Sequence, residues 1–409
     1  MSYYDLGVFK RTVTTESADA QLWFDRGLNW LYGYNHAEAI ACFEKALAQD
    51  GECAMAHWGI AYASGPNYNL PWHLMDPKGK AMALGAGYDA AQLALSHAAA
   101  TTDVEQAMIG ALTARYPQRD PIDDQSGWND DFADAMRGVY QSFPDDLEVC
   151  AIFCEGIMVR TPWKMWDLKT GGVAKGAGTA EAQEVLERTF DNIPAAWEHP
   201  GVLHLYIHLM EMSPFPQKAL RAGDCLRDLV PDAGHLIHMP THIDVLCGQY
   251  RDVVVYNQKA IAADRKFLAQ AGAMNVYSLY RAHDHHFAIY GAMFLGQYTP
   301  AIKAAQELID TTPEDLLRVE SPPMADFIEG YLSMKQHVLV RFGKWQDIVD
   351  QPLPDDQDLY CATTAMMRYA KSVAHSATGN VAEAEVERDA FLAAKANVPK
   401  KAHLRYSFI

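Results

Sequence analysis

Two histidine pairs carry the strongest chemical signal in this sequence. HLYIH sets His204 and His208 four residues apart, and HMPTH does the same for His238 and His242. First members and second members are both 34 residues apart. Residues four apart on a helix share one face, so each pair aims two imidazoles at one point, as a shared metal ion requires. More histidines fall in step when Gly248, Gly296 and Gly343, each two residues before an aromatic, are aligned. His238 and His286 then lie ten residues before their glycine, His235 and His283 thirteen, and His242 and His337 six. The pattern makes His204, His208, His238, His242, His283 and His286 candidate metal ligands. His235 and His337 are candidates for contacts to substrate or to the ligands. Glu211, three residues after His208, shares its face and is a candidate general base or ligand, or a carboxylate that orients an imidazole.

A set built almost wholly of imidazole suits copper, iron, nickel or zinc. A carboxylate-bridged di-iron centre brings more Glu and Asp. HExxH, the usual zinc-peptidase arrangement, is absent. Two HxxxH pairs with further histidines resemble, in spacing, the ligand supply of dinuclear copper oxidases. The expectation is one or two transition-metal ions, copper or iron ahead of zinc. Pro240 stands between His238 and His242. An interior proline costs about 3 kcal/mol outside a helix's first turn. Either a helix starts at Pro240, or one is kinked beside the histidines.

The elements that must position these residues come from a repeat. In WFDRGLNWLYGYNHAEAIACFEKALAQD, the residues Trp23, Gly27, Ala39, Phe43 and Ala46 have the types and spacing of a tetratricopeptide repeat. Small residues let two antiparallel helices approach, and the large ones fill the seam. Gly-x-aromatic followed by a small or aliphatic residue recurs at Gly248, Gly296 and Gly343, with a weaker copy at Gly379. Segments rich in Pro, Gly and Asp at 65–80, 116–130, 160–178, 310–323 and 350–358 read as loops between hairpins. The reading is all-α: one tetratricopeptide-like right-handed superhelix of antiparallel helical hairpins with insertions between repeats, spanning 1–409. Within it, 1–195 holds hairpins with long insertions, 196–345 the histidine-bearing repeats, and 346–409 the C-terminal capping hairpins. The resemblance implies that the histidine face lines the concave side, where such repeats bind ligands.

Composition narrows the partners. The chain has 409 residues, with 34 Lys and Arg against 52 Asp and Glu, a formal charge of −18. Nucleic acid and an anionic membrane surface are poor partners for that balance. There is no long apolar run and the start lacks a signal-peptide core, so neither a membrane span nor export is expected. Seven thinly spread cysteines fit reduced thiols in a cytoplasm. A homodimer is compatible with the sequence.

Several further residues are candidates on weaker signals. Asn67 and Asn69 read as a polar lid over the groove or as an Asn-rich turn that satisfies its own backbone. Tyr206 is a candidate pocket wall, and Glu155 a second base or ligand. Cys150 and Cys154, one turn apart, read as buried thiols or a soft-metal pair. Asp244 and Asp284 are candidates to orient ligands. The functional expectation is a metal-dependent enzyme, foremost an oxidoreductase acting on a small molecule at the multi-histidine site. The alternatives are a zinc-dependent hydrolase or lyase with Glu211 as base, and a peptide-binding scaffold without chemistry.

Three strings, HPGVLHLYIHLMEMSPFP (199–216), DAGHLIHMPTHI (232–243) and NQKAIAADR (257–265), resemble a bacterial family of tetratricopeptide-repeat proteins. HWGIAYASGPNYNLPW (57–72) and DDFADAMRGVYQSFPDDLEVCAIFCEGIM (130–158) extend the likeness over most of the chain. It implies a full-length repeat protein with a histidine-lined centre, and it supplies no substrate.

Overall fold

The structure is a computed structural model and describes residues 3–399. Residues 400–409, the end of the expected capping block, lie outside the described residues. Helices account for every regular element among those described. Extended pairing is limited to isolated bridges between Trp166 and Val173 and between Glu320 and Pro323. No described helix is long and apolar enough to cross a membrane. The chain forms two compact units, Met1–Cys247 and Gly248–Ile409. Their boundary falls inside the block expected to carry the histidine repeats.

The first unit opens with the hairpin of Ala18–Tyr32 and His36–Gln49. Side chains start both helices: Ser17 accepts from the Ala20 amide and Asn35 from the Glu38 amide, each covering a backbone donor the helix leaves open. The seam closes where the repeat pattern placed its small and large residues. A Cβ on Gly27 would lie 2.5 Å from the Phe43 ring, and one on Gly59 would lie 2.7 Å from another edge of it. Phe43 therefore fills a slot only glycines leave open. The pairs Ala54–Ser64 with Pro77–His97, Ser126–Ser142 with Leu147–Met158, and Thr179–Asn192 with Pro200–Met210 continue the series of packed neighbours. Ahead of them, the segment before Ser17 is strapped across the unit. The Asp5 amide donates to the Asp232 carboxylate at 2.8 Å, and the Asp232 amide donates to the Asp5 carbonyl at 2.9 Å. Arg11 reaches Asp146 at 2.9 Å and also Glu148.

The second unit shows what the Gly-x-aromatic signature does. Gly296, Gly343 and Gly379 have φ of 69, 63 and 82°, the left-handed region that glycine enters at no steric cost. Each lies just past the end of one helix, and the next helix begins two residues later, at Tyr298, Trp345 and Val381. Ile289, Ala292, Ala301, Ala305 and Val338 form one buried cluster between such helices. Most of the expected breaks are present: 65–71, 116–125, 159–178 and 350–360 carry no helix. The break expected at 310–323 instead holds the short helix Glu314–Leu317, begun by Pro313.

Candidate metal centre

The site begins with how one helix is seated. Pro200–Met210 is capped by His199, whose Nδ1 accepts the Val202 amide at 3.1 Å, and Pro200 occupies the first turn, where its missing N–H costs nothing. Gly201 lets this helix press on the first hairpin, since a Cβ there would lie 2.3 Å from the Tyr32 ring. That approach sets the Nδ1 of His204 2.7 Å from the Tyr32 carbonyl, across 172 residues of chain. A carbonyl only accepts, so the proton sits on Nδ1 and Nε2 keeps its lone pair. Burial, and next the neighbouring His208, hold the His204 imidazole well below its usual pKa, in the neutral form a metal needs.

His208 follows the same logic one turn later. Its Nδ1 donates to Glu211 Oε1 at 2.8 Å, leaving Nε2 as the lone-pair nitrogen. The Nε2 atoms of His204 and His208 are buried and have no hydrogen-bond partner among the described residues. Two orphaned acceptors side by side are costly unless something binds them. His235, from the short helix Gly234–His238, completes the group. Each of the three buried histidines offers a ring nitrogen, and these nitrogens all lie within 4.8 Å of one another. A shared ion would need each of these nitrogens about 2.0–2.1 Å from it. Sequence register sets His235 on the histidine face as a candidate for contacts to substrate or to the ligands; in the structure it stands with His204 and His208.

Pro240 ends one helix and starts another. Gly234–His238 stops before Met239, and Pro240–Leu246 begins with the proline in its first turn. The Thr241 hydroxyl caps the join by donating to the His238 carbonyl at 2.6 Å. Across this break the Nε2 atoms of His238 and His242 come to 2.9 Å, despite the lost helical regularity. His242 Nδ1 meets Glu211 Oε2 at 2.6 Å. Glu211 thus spends one oxygen on each of two imidazoles. Burial would raise its carboxyl, but His242 and then His208 outweigh that and hold it well below the usual carboxylate range. With both oxygens engaged on imidazoles, Glu211 has the contacts of a carboxylate that orients histidines.

Aromatic rings close around the three histidines. The Tyr34 ring lies 4.6 Å from His204, 5.6 Å from His235 and 5.8 Å from His208, centroid to centroid, and the last two are stacked. Tyr34 has φ 54°, a left-handed conformation unusual for a bulky residue and enriched at functional sites. Its hydroxyl donates to Glu155 Oε1 at 2.9 Å, and the buried Glu155 also accepts from Tyr62. The Arg115 guanidinium stands 4.5 Å over the Tyr62 ring. Tyr68 meets His208 at 4.8 Å. Its neighbours Asn67 and Asn69, the candidates by sequence, do something else. Asn67 accepts from the Asn69 and Leu70 amides, both at 2.8 Å, so this turn satisfies its own backbone. Tyr34 has one local signal in the sequence, a bulky residue between Gly33 and the capping Asn35.

The remaining sequence candidates are placed as follows. Tyr206 donates to Glu187 at 3.0 Å and packs edge-on against Phe190. Asp244 binds Arg227 through both oxygens, at 2.7 and 2.8 Å. Cys150 and Cys154 are buried thiols whose pKa burial raises, to about 11 for Cys150. In the second unit, His283 and His286 stand on Ser278–Phe294, with rings 6.0 Å apart and Tyr331 5.5 Å from His286. Asp284 neighbours Asp264 and Arg281 there, and burial raises both carboxyls, Asp264 to about 6. His337 is exposed on Met334–Arg341.

No protein-family model and no curated protein matches this chain. Solved structures similar to it include the TPR domain of P58(IPK), at 14% identity over 95% of this chain and 99% of that one, with a TM-score of 0.21. The APC/C hetero-tetramer Cut9-Hcn1 is similar at 13% identity over 95% of this chain and 75% of that one, with a TM-score of 0.27. Scores this low carry no argument about the site. The helical-hairpin fold rests on the packing of Gly27, Phe43 and Gly59 and on the left-handed glycine turns.

Proposed function

We propose that the first unit binds a transition metal through His204, His208 and His235, and that the protein is a metal-dependent oxidoreductase acting on a small molecule. One observation carries this reading. The outer nitrogens of His204 and His208 are fixed by a carbonyl and a carboxylate, while their inner nitrogens are buried beside each other without partners. Three imidazoles leave coordination positions for dioxygen or substrate, and imidazole sets suit copper and iron as well as zinc. The hydrolytic alternative loses support because Glu211, its expected base, is committed on both oxygens. The Tyr34 and Tyr68 rings stand against the histidines and wall the group. Small size is expected of the substrate, because the three ligands are buried.

The test is elemental analysis and a visible spectrum of protein purified without a histidine tag or added metal. About one or two equivalents of copper or iron, with oxygen consumption on a substrate screen, is the expected result. Zinc alone would return the hydrolytic reading. Failure to bind any metal on titration would overturn both and leave the histidines as the lining of a binding groove.

A further inference from the structure

Glu211 stands between two sets of imidazoles, and its geometry has a consequence for how many ions the first unit holds. Its Oε1 accepts from His208, a member of the three-histidine group, and its Oε2 accepts from His242, whose Nε2 lies 2.9 Å from the Nε2 of His238. We propose that Glu211 is a shared positioning residue for two metal sites, one on His204, His208 and His235 and a second on His238 and His242. This rests on the metal-binding reading above and goes beyond it in assigning two sites to one carboxylate.

Tautomers decide which atoms can bind. A neutral imidazole has one N–H and one lone pair, and the position of the proton fixes which nitrogen is open to a metal. A carboxylate oxygen has only lone pairs to offer, so it holds each facing Nδ1 in its protonated form. That leaves the lone pair on Nε2 of both His208 and His242; in the metal-free protein His238 Nε2 donates to His242 Nε2 at 2.9 Å, and binding an ion there moves the His238 proton to Nδ1. Carboxylate–histidine–metal chains of this kind fix ring orientation and raise ligand basicity, and losing the carboxylate commonly costs about 10- to 100-fold in metal affinity. Here the two oxygens serve two imidazoles on separate helices, Pro200–Met210 and Pro240–Leu246. The Pro240 break turns the second of these so that His242 can reach Glu211 and His238 together. His235 links the sets: its ring lies 5.0 Å from His204 and 5.9 Å, stacked, from His238.

Glutamine separates this role from a general structural one. In Glu211→Gln the amide keeps one acceptor oxygen and gains an N–H donor in place of the other. One imidazole keeps its tautomer. The other faces a donor, must accept at Nδ1, and moves its proton to Nε2, which removes its metal lone pair. The experiment is titration of metal-free full-length protein with Cu(II), read by bound equivalents and by the ligand-field spectrum, with thermal melts as the folding control. The wild type is expected to bind two equivalents. Glu211→Gln is expected to keep one at near wild-type affinity and lose the other, with one of two ligand-field bands disappearing. Glu211→Ala is expected to weaken both sites about 10- to 100-fold. Two equivalents with unchanged affinity in Glu211→Gln would overturn the proposal, as would a wild type that binds a single equivalent. Both outcomes leave the three-histidine site standing. If the wild type binds no metal, it is the reading of function that fails. Should Glu211→Gln fail to fold, His242→Ala serves: loss of one equivalent supports two sites, and retention of both contradicts them.

Discussion

The histidine that starts the helix Pro200–Met210 and the two further along it are opposites. His199, at the start, has both ring nitrogens occupied: Nδ1 accepts the Val202 amide and Nε2 meets Glu148 Oε1 at 2.8 Å. His204 and His208 each have one nitrogen fixed and the other buried without a partner. All three are buried. A buried imidazole with two partners is a strut. One with a single outer partner and a bare inner nitrogen has the form of a ligand. Burial and residue type do not distinguish these roles; the count of satisfied nitrogens does.

Substitutions should separate the two ends. The largest effect belongs to the inner end. His208→Ala is expected to abolish tight binding at the three-histidine site, because it removes a ligand and leaves Glu211 without one of its two imidazoles, while thermal stability of the metal-free protein changes less. At the outer end, His199→Ala is expected to keep full metal stoichiometry and to cost about 3 kcal/mol of stability, the scale for breaking a buried ionic or strongly hydrogen-bonded pair. Denaturant melts and metal titrations of both variants check the contrast, which disappears if both lose metal equally.

The outer end also predicts a pH response. Burial would raise the Glu148 carboxyl, but His199 and then Arg11 hold it at about 2, below its ordinary value of 4.5. A carboxyl with a depressed folded pKa stabilises the fold above its unfolded pKa, and that stability is lost as pH falls through the folded value. Acid unfolding tied to this cluster is therefore expected between about pH 4.5 and 2. In His199→Ala the onset should move to higher pH. Melting temperature against pH for the two proteins measures the shift.

A smaller effect tests the joint between the two ends. Gly201→Ala puts a Cβ into the Tyr32 ring and must push the helix back. Overpacking of this kind costs about 1–3 kcal/mol. It should also loosen metal binding modestly, because the Tyr32 carbonyl that holds His204 moves away. Unchanged metal affinity in a destabilised Gly201→Ala would show that the carbonyl contact is not what sets the tautomer.

Much of this contrast is legible in the sequence. Spacing of four places His204 with His208, and Pro240 announces the helix break beside His238 and His242. Gly27 and Phe43 name the seam, and the Gly-x-aromatic triplets mark the left-handed turns at Gly296 and Gly343. Spacing does not show which nitrogen each imidazole exposes. That depends on the Tyr32 carbonyl, 172 residues from His204, and on a carboxylate whose second oxygen is taken by His242. Glu211 reads as a base, a ligand or an orienting carboxylate, because a sequence shows the carboxylate and not what holds its oxygens. Tyr68 escapes a sequence reading because aromatic residues are ordinary core, and Tyr34 has only its place between Gly33 and Asn35 to mark it. Their contact with the histidines comes from Tyr34 sitting at φ 54° and from the Asn67 turn presenting Tyr68.

Whether the partnerless inner nitrogens bind a metal is tested most directly by X-ray absorption. The metal-loaded full-length protein would be compared with the His204→Ala and His199→Ala variants. The expected result is a shell of nitrogen scatterers at about 2.0–2.1 Å with imidazole multiple scattering, diminished in His204→Ala and unchanged in His199→Ala. A shell that includes sulfur, or one that His204→Ala leaves intact, would contradict it.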